Sequence, residues 1–161
     1  MKISIRLATI VGLTLAAGST VLAQGNSRAT VQIPTGAGFN VNNVSAVTTA
    51  TPAPFSIRLT DIRLSSPNRS VRVSVRAAAP DFTPPNGPAM PSSLVFWSTS
   101  NPQNCTGING TLTDTSFTPV LDTIKNPKTA SVDVTWRLAA PGPSIRAGTH
   151  SLTVVWRIES F

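Results

Sequence analysis

Ser70-Val71-Arg72-Val73-Ser74-Val75-Arg76 sets three valines at every second position against Ser and Arg. That is the period of a half-buried β-strand, whose successive side chains point to opposite faces. Val132, Val134, Trp136 and Leu138 repeat the pattern against Asp133, Thr135 and Arg137, and Leu152, Val154, Trp156 and Ile158 repeat it against Thr153, Val155, Arg157 and Glu159. Such one-sided alternation belongs to antiparallel sheets with a core face and a wet face. Trp136 and Trp156 are therefore expected in the core, and Arg72, Arg76, Arg137 and Arg157 on the outside.

Shorter strands are expected at Thr30–Ile33, Phe55–Leu64, Leu94–Ser98 and around Phe117–Ile124. Between them fall breakers: Pro52-Ala53-Pro54, Ser65 to Asn68, Pro80 to Pro91, Asn101-Pro102, Asn126-Pro127 and Pro141-Gly142-Pro143. Each carries Pro to fix φ, or Asn and Gly to permit turn conformations. No long window after the N-terminal segment keeps helical apolar spacing free of them. The pattern implies an all-β fold, an antiparallel β-sandwich of immunoglobulin-like architecture with roughly seven to nine strands.

The N-terminus, MKISIRLATIVGLTLAAGSTVLAQG, has Lys2 and Arg6 before an apolar stretch from Leu7 to Ala17, then Val21-Leu22-Ala23 ahead of Gln24. This reads as a secretory signal peptide over residues 1–23. The apolar stretch is shorter than the roughly 20 residues of a membrane span, so no membrane span is expected. A single β-sandwich domain is expected over residues 24–161, with 24–33 either an ordinary first strand or a mobile N-terminal arm. The reading places the protein outside the cell, secreted or at the cell surface.

The chain has 161 residues, with 13 Lys and Arg against 6 Asp and Glu, 14 Pro, one Cys, one His and no Tyr. Disorder is excluded by the low charge and the many branched apolar residues. Cys105 has no intrachain partner and is read as a small buried thiol, with an intermolecular bridge as the alternative. His150, the sole histidine, has no nucleophile elbow beside it and reads as a surface or rim residue. No catalytic set, cofactor or metal is expected: nucleotide-binding glycine loops and zinc spacings do not occur. Asn101 to Thr115 has only Asp114 as an acid, too few carboxylates for a firm calcium site, but its length makes it a candidate binding tip.

Without Lys2 and Arg6 of the leader, the 13 Lys and Arg fall to 11 against 6 acids, and the remaining balance of +5 raises a polyanion as partner. Compact basic runs interleaved with aromatics are missing, and export argues against nucleic acid. An anionic cell-envelope polymer fits the same electrostatics, with Arg72, Arg76, Arg137 and Arg157 as its possible contacts. Trp97 follows Phe96, so one of the two faces outward; Trp97 is the candidate exposed aromatic. Few charges guard the strand edges, which leaves self-association through edge strands as a further option.

At the C-terminus, the segment from His150 to Ile158 resembles the distal motif of WxL-type cell-surface domains, and Trp136-Arg137-Leu138-Ala139-Ala140-Pro141 resembles their Trp-x-Leu element followed by proline. Thr60-Asp61-Ile62-Arg63, Ala79-Pro80-Asp81-Phe82-Thr83 and Met90 to Leu94 are similar to further elements of that family, in the same order. The similarity spans residues 55–159; His150 stands where that family has an aromatic, and Ile158 where it has Leu. The resemblance implies a secreted domain held non-covalently at the bacterial surface, on peptidoglycan or on another surface protein. The expected function is thus a non-enzymatic surface or extracellular structural module for attachment or assembly. The alternatives are a pilin-like filament subunit joined by N-terminal strand exchange, and a secreted hydrolase built on two converging acids.

Overall fold

Strands supply all the regular structure among the described residues except a short 3-10 turn at Ser92–Leu94. The computed structural model describes residues 5–9, 18–24, 27–34, 38–82, 88–150 and 152–161. The leader residues 10–17, the middle of the proline-rich breaker at 83–87 and Ser151 of the last expected strand lie outside the described residues. In chain order the strands are β1 (Ile5–Thr9), β2 (Gly18–Gln24), β3 (Ser27–Ile33), β4 (Phe39–Val41), β5 (Thr48–Thr49), β6 (Phe55–Arg63), β7 (Val71–Ala77) and β8 (Asp81–Phe82). They continue with β9 (Met90–Pro91), β10 (Val95–Gln103), β11 (Cys105–Gly107), β12 (Gly110–Thr111), β13 (Thr118–Thr123), β14 (Ala130–Leu138), β15 (Gly148–His150) and β16 (Val154–Ser160). Among the described residues, these sixteen segments outnumber the strands expected from sequence, because the expected leader supplies β1 and most of β2 and the connections form further segments two or three residues long.

One sheet has the order β1-β16-β7-β13-β11 and the other β12-β10-β14-β6-β3-β2, with β5 also paired to β14. Two small ladders, β15 with β4 and β8 with β9, complete the set, and every pairing is antiparallel. β1 and all of β2 except Gln24 fall inside the expected leader. Among the described residues, no helix is long and apolar enough to cross a membrane.

The alternation read from the sequence sets the burial. Along β14, every second residue from Ala130 to Leu138 is buried and each residue between is half-exposed. Val71, Val73 and Val75 are fully buried on β7, and the inward side chains of both large sheets join one apolar cluster. Each fully buried Val, Leu or Ile stabilises the fold by about 1.5–3 kcal/mol relative to exposure. Trp136 lies 5.0 Å from Trp97 and 6.3 Å from both Phe55 and Trp156, ring centre to ring centre, so the aromatic residues meet at the middle of the core.

The C-terminal strand departs from its expected phase in one respect. β16 begins at Val154, not Leu152, and Val155 is buried although it belongs to the outer face. Val155 stands opposite Arg76 in the ladder, and Arg76 and Arg157 both lie over the ring of Phe117. Long guanidinium side chains cover apolar surface with their stems, and here they and Phe117 roof the outer face. Ser74, opposite Arg157, is buried for the same reason.

Candidate functional site

The four arginines expected to project freely into water do not do so, and they divide between the two sheets. Arg72 donates from Nε to Asp122 Oδ1 at 2.7 Å and from Nη2 to Asp122 Oδ2 at 2.6 Å, with its guanidinium 4.7 Å from the centre of the Phe161 ring. Arg76 donates to the carbonyl oxygens of Ala77 and Asp114, and Arg157 sits 4.5 Å over Phe117 and 3.4 Å from Glu159. Arg137, on β14 of the other sheet, donates to Ser98 Oγ at 2.7 Å. All four are half-buried.

Trp97 is a correction. It is 1% exposed, and its Nε1 donates to the Ile108 carbonyl oxygen at 2.8 Å. β10 pairs with β14 so that Trp97 stands opposite Trp136, and this register turns Trp97 to the core and leaves Phe96 half-exposed. Trp136 and Trp156 are buried. His150 is a second correction: it is 1% exposed, not at the rim. β15 pairs with β4 rather than running on into β16, which sets His150 opposite Phe39, and its Nε2 donates to the Arg146 carbonyl oxygen at 3.1 Å.

The Asn-rich stretch is the third correction. β10 runs on to Gln103, and β11 and β12 follow, so residues 101–115 are mostly paired. Asn109 Oδ1 accepts from the Thr99 backbone N–H and hydroxyl, Asn104 Nδ2 donates to the Thr129 carbonyl oxygen, and Asn101 Nδ2 donates to Asp133 Oδ2. Asn101 and Asn104 also adopt positive φ, which Asn tolerates better than most residues. The asparagines thus hold the fold together. Half-buried Cys105 donates its thiol to the Ser131 carbonyl oxygen, and burial pushes its pKa up, which disfavours the reactive thiolate.

A basic surface lies elsewhere, on the outer face of β3 and β6. Arg28, Arg58, Arg63 and Lys128 are exposed, and none takes part in a salt bridge among the described residues. The ladder sets Arg28 directly opposite Arg63, and Gln32 opposite Arg58. A bulge creates this arrangement: between the pairs Arg28–Arg63 and Thr30–Thr60, β3 has one residue and β6 has two. Asp61 takes φ 51° at that point. Without the extra residue Arg63 would share the inward phase of Phe55, Ile57 and Leu59; with it, Ile62 is 4% exposed and Arg63 turns outward. The Ile62 backbone N–H donates to the Lys128 carbonyl oxygen at 3.1 Å, which ties a fourth cation's backbone to the bulge. Alternation alone hides such a site, although the broken period between Leu59 and Ile62 is its visible trace.

Asp133, on β14 next to this face, is an acid whose setting is defined by hydrogen bonds. The hydrogen bond from Ser56 holds its carboxyl below the ordinary value of 3.8, the bond from Asn101 adds to this, and the charge of Arg58 contributes further. The folded state thus binds this proton less readily than the unfolded chain does. The resulting stabilisation is present above the ordinary value and is lost as pH falls through the depressed folded value. Asp133→Asn is expected to flatten the acid limb of the stability curve below about pH 4. Urea unfolding free energies across that range check it; an unchanged acid limb would assign the loss to other carboxylates.

Among the described residues, no group of three or more His, Cys, Asp or Glu side chains could hold a metal ion. No protein-family model, curated protein or solved structure matches the chain.

Proposed function

We propose that the protein is an exported, non-enzymatic surface module of immunoglobulin-like β-sandwich architecture that attaches to an anionic cell-envelope polymer. The observation that carries this reading is the basic face of Arg28, Arg58 and Arg63 on β3 and β6, whose like charges stand exposed with Arg28 set directly opposite Arg63 by the bulge. Like charges directly opposite each other on a sheet are destabilising, and a polyanion lying across the face relieves that repulsion. The resemblance to WxL-type domains supports a surface location. Ser27–Ile33, paired to β6 of its own sheet, supports a self-contained module over exchange of that strand between filament subunits. His150, buried and donating to a carbonyl oxygen, fits a structural role better than that of a hydrolase base.

Attachment through exposed charges weakens as salt shortens the Debye length from about 10 Å at 0.1 M to about 3 Å at 1 M. A high-salt wash is expected to strip the protein from host cells, and Arg28→Gln with Arg63→Gln is expected to release it at low salt. That double variant removes a like-charge pair, so its fold is expected to be at least as stable as wild type. Immunoblots of wall, membrane and medium fractions check both arms. Wild-type retention of the double variant rejects this face as the contact.

A further inference from the structure

β16 has β7 on one side and β1 on the other, in the register Ile5–Ile158, Arg6–Arg157, Leu7–Trp156, Ala8–Val155 and Thr9–Val154. Residues 5–9 belong to the expected leader, so its removal leaves β16 as a bare sheet edge. We propose that this edge pairs with β16 of a second copy of the chain, joining two copies into one continuous sheet once the leader has been removed.

The register follows from the sequence. In an antiparallel two-fold pairing, inward residues must stand opposite inward residues, or the core face of one copy would continue into the wet face of the other. Centring the pair on Trp156 satisfies this but leaves Arg157 opposite Val155. Centring it on Ile158 also satisfies it, and sets Arg157 of each copy opposite Glu159 of the other, so that symmetry makes two opposite-charge pairs. The same register brings Phe161, 54% exposed, opposite Val155.

Two observations mark the leader as the poorer occupant. Its ladder matches an arginine to Arg157, a like-charge register. With β1 in place, Arg157 Nε is buried and has no hydrogen-bond partner, a donor that a carboxylate from across the edge would satisfy. The second edge that leader removal uncovers, β3, carries exposed Arg28 and Gln32, and Arg28 already faces Arg63. β3 carries a cation and no acid, so it cannot form opposite-charge pairs with a second copy of itself as β16 can, and β16 is the edge that assembles.

The inference rests on the leader reading but not on polymer attachment. Its test is sedimentation of the exported protein, purified from host fractions with its N-terminus fixed by mass, in about 0.1 M salt where charge pairs are only partly screened. The expected result is a chain lacking residues 1–23 that forms dimers, and an export-blocked precursor that stays monomeric. Glu159→Arg and Arg157→Glu are each expected to weaken the dimer about tenfold or more, since each turns two attractive pairs repulsive. The combined swap restores the wild-type dimer. Hydrogen exchange on the wild type, slower within residues 155–161 in dimer than in monomer, gives the same reading should either single variant fail to fold. A monomeric exported chain overturns the proposal alone, and retained leader residues overturn it together with the leader reading. A dimer indifferent to the charge swap, with no protection within residues 155–161, rejects the β16 edge. Salt-resistant attachment of a charge-sensitive dimer would refute only the polymer reading.

Discussion

Trp136→Ala is expected to cost about 3–5 kcal/mol, the range for a large aromatic residue removed from a core. The ring is 6% exposed and meets Trp97, Phe55 and Trp156. Its loss therefore forfeits transfer free energy, leaves a cavity among side chains held by two sheets, and removes ring pairs worth about 0.5–1.5 kcal/mol each. Trp156→Ala is expected toward the lower end, because its ring meets Trp136 edge-on at one side of the cluster. Denaturant unfolding of both variants checks the order. A near-zero change for Trp136→Ala would mean that the ring does not lie between the sheets.

Gly110→Ala is expected to destabilise by about 1–3 kcal/mol, although it adds a single methyl group. A Cβ at that position would lie 2.5 Å from Trp97 Cζ2, 2.8 Å from Cη2 and 3.1 Å from Thr118 Cγ2. The indole cannot withdraw, because its Nε1 is bonded to Ile108 and its other side meets Trp136. Trp97→Phe removes the two clashing atoms, so combining it with Gly110→Ala is expected to cost less than the two separate changes added together. A double-mutant cycle measures that coupling. Strict additivity would show that the glycine and the indole do not touch.

The strands at Val71–Ala77 and Ala130–Leu138 were legible because each alternates cleanly against a wet face, and alternation is a property of one segment. The direction of Trp97 was not, because Phe96 and Trp97 are adjacent and both apolar; only the pairing of Trp97 with Trp136 decides between them. His150 was misread for a related reason: its burial depends on a three-residue ladder with Phe39–Val41, more than a hundred residues away in sequence. The charged surface was half-legible. The sequence placed arginines on outer faces, but which of them stay free depends on whether an acid, a ring or a carbonyl group stands across the sheet. Asp122 and Phe161 occupy Arg72, whereas Arg63 stands opposite another arginine in its ladder.

If the chain attaches as proposed, the one-residue bulge at Asp61 gives salt two opposite effects on the same protein. In the free chain, Arg28 and Arg63 repel across the β3–β6 ladder, so added ions tighten the hold of β3 on its sheet. In a chain attached as proposed, the same ions would compete for the polymer and loosen the complex. Under the proposed attachment, the extra residue would turn ionic strength into a selector between two states, a well-knit detached molecule in concentrated surroundings and an anchored one in dilute surroundings.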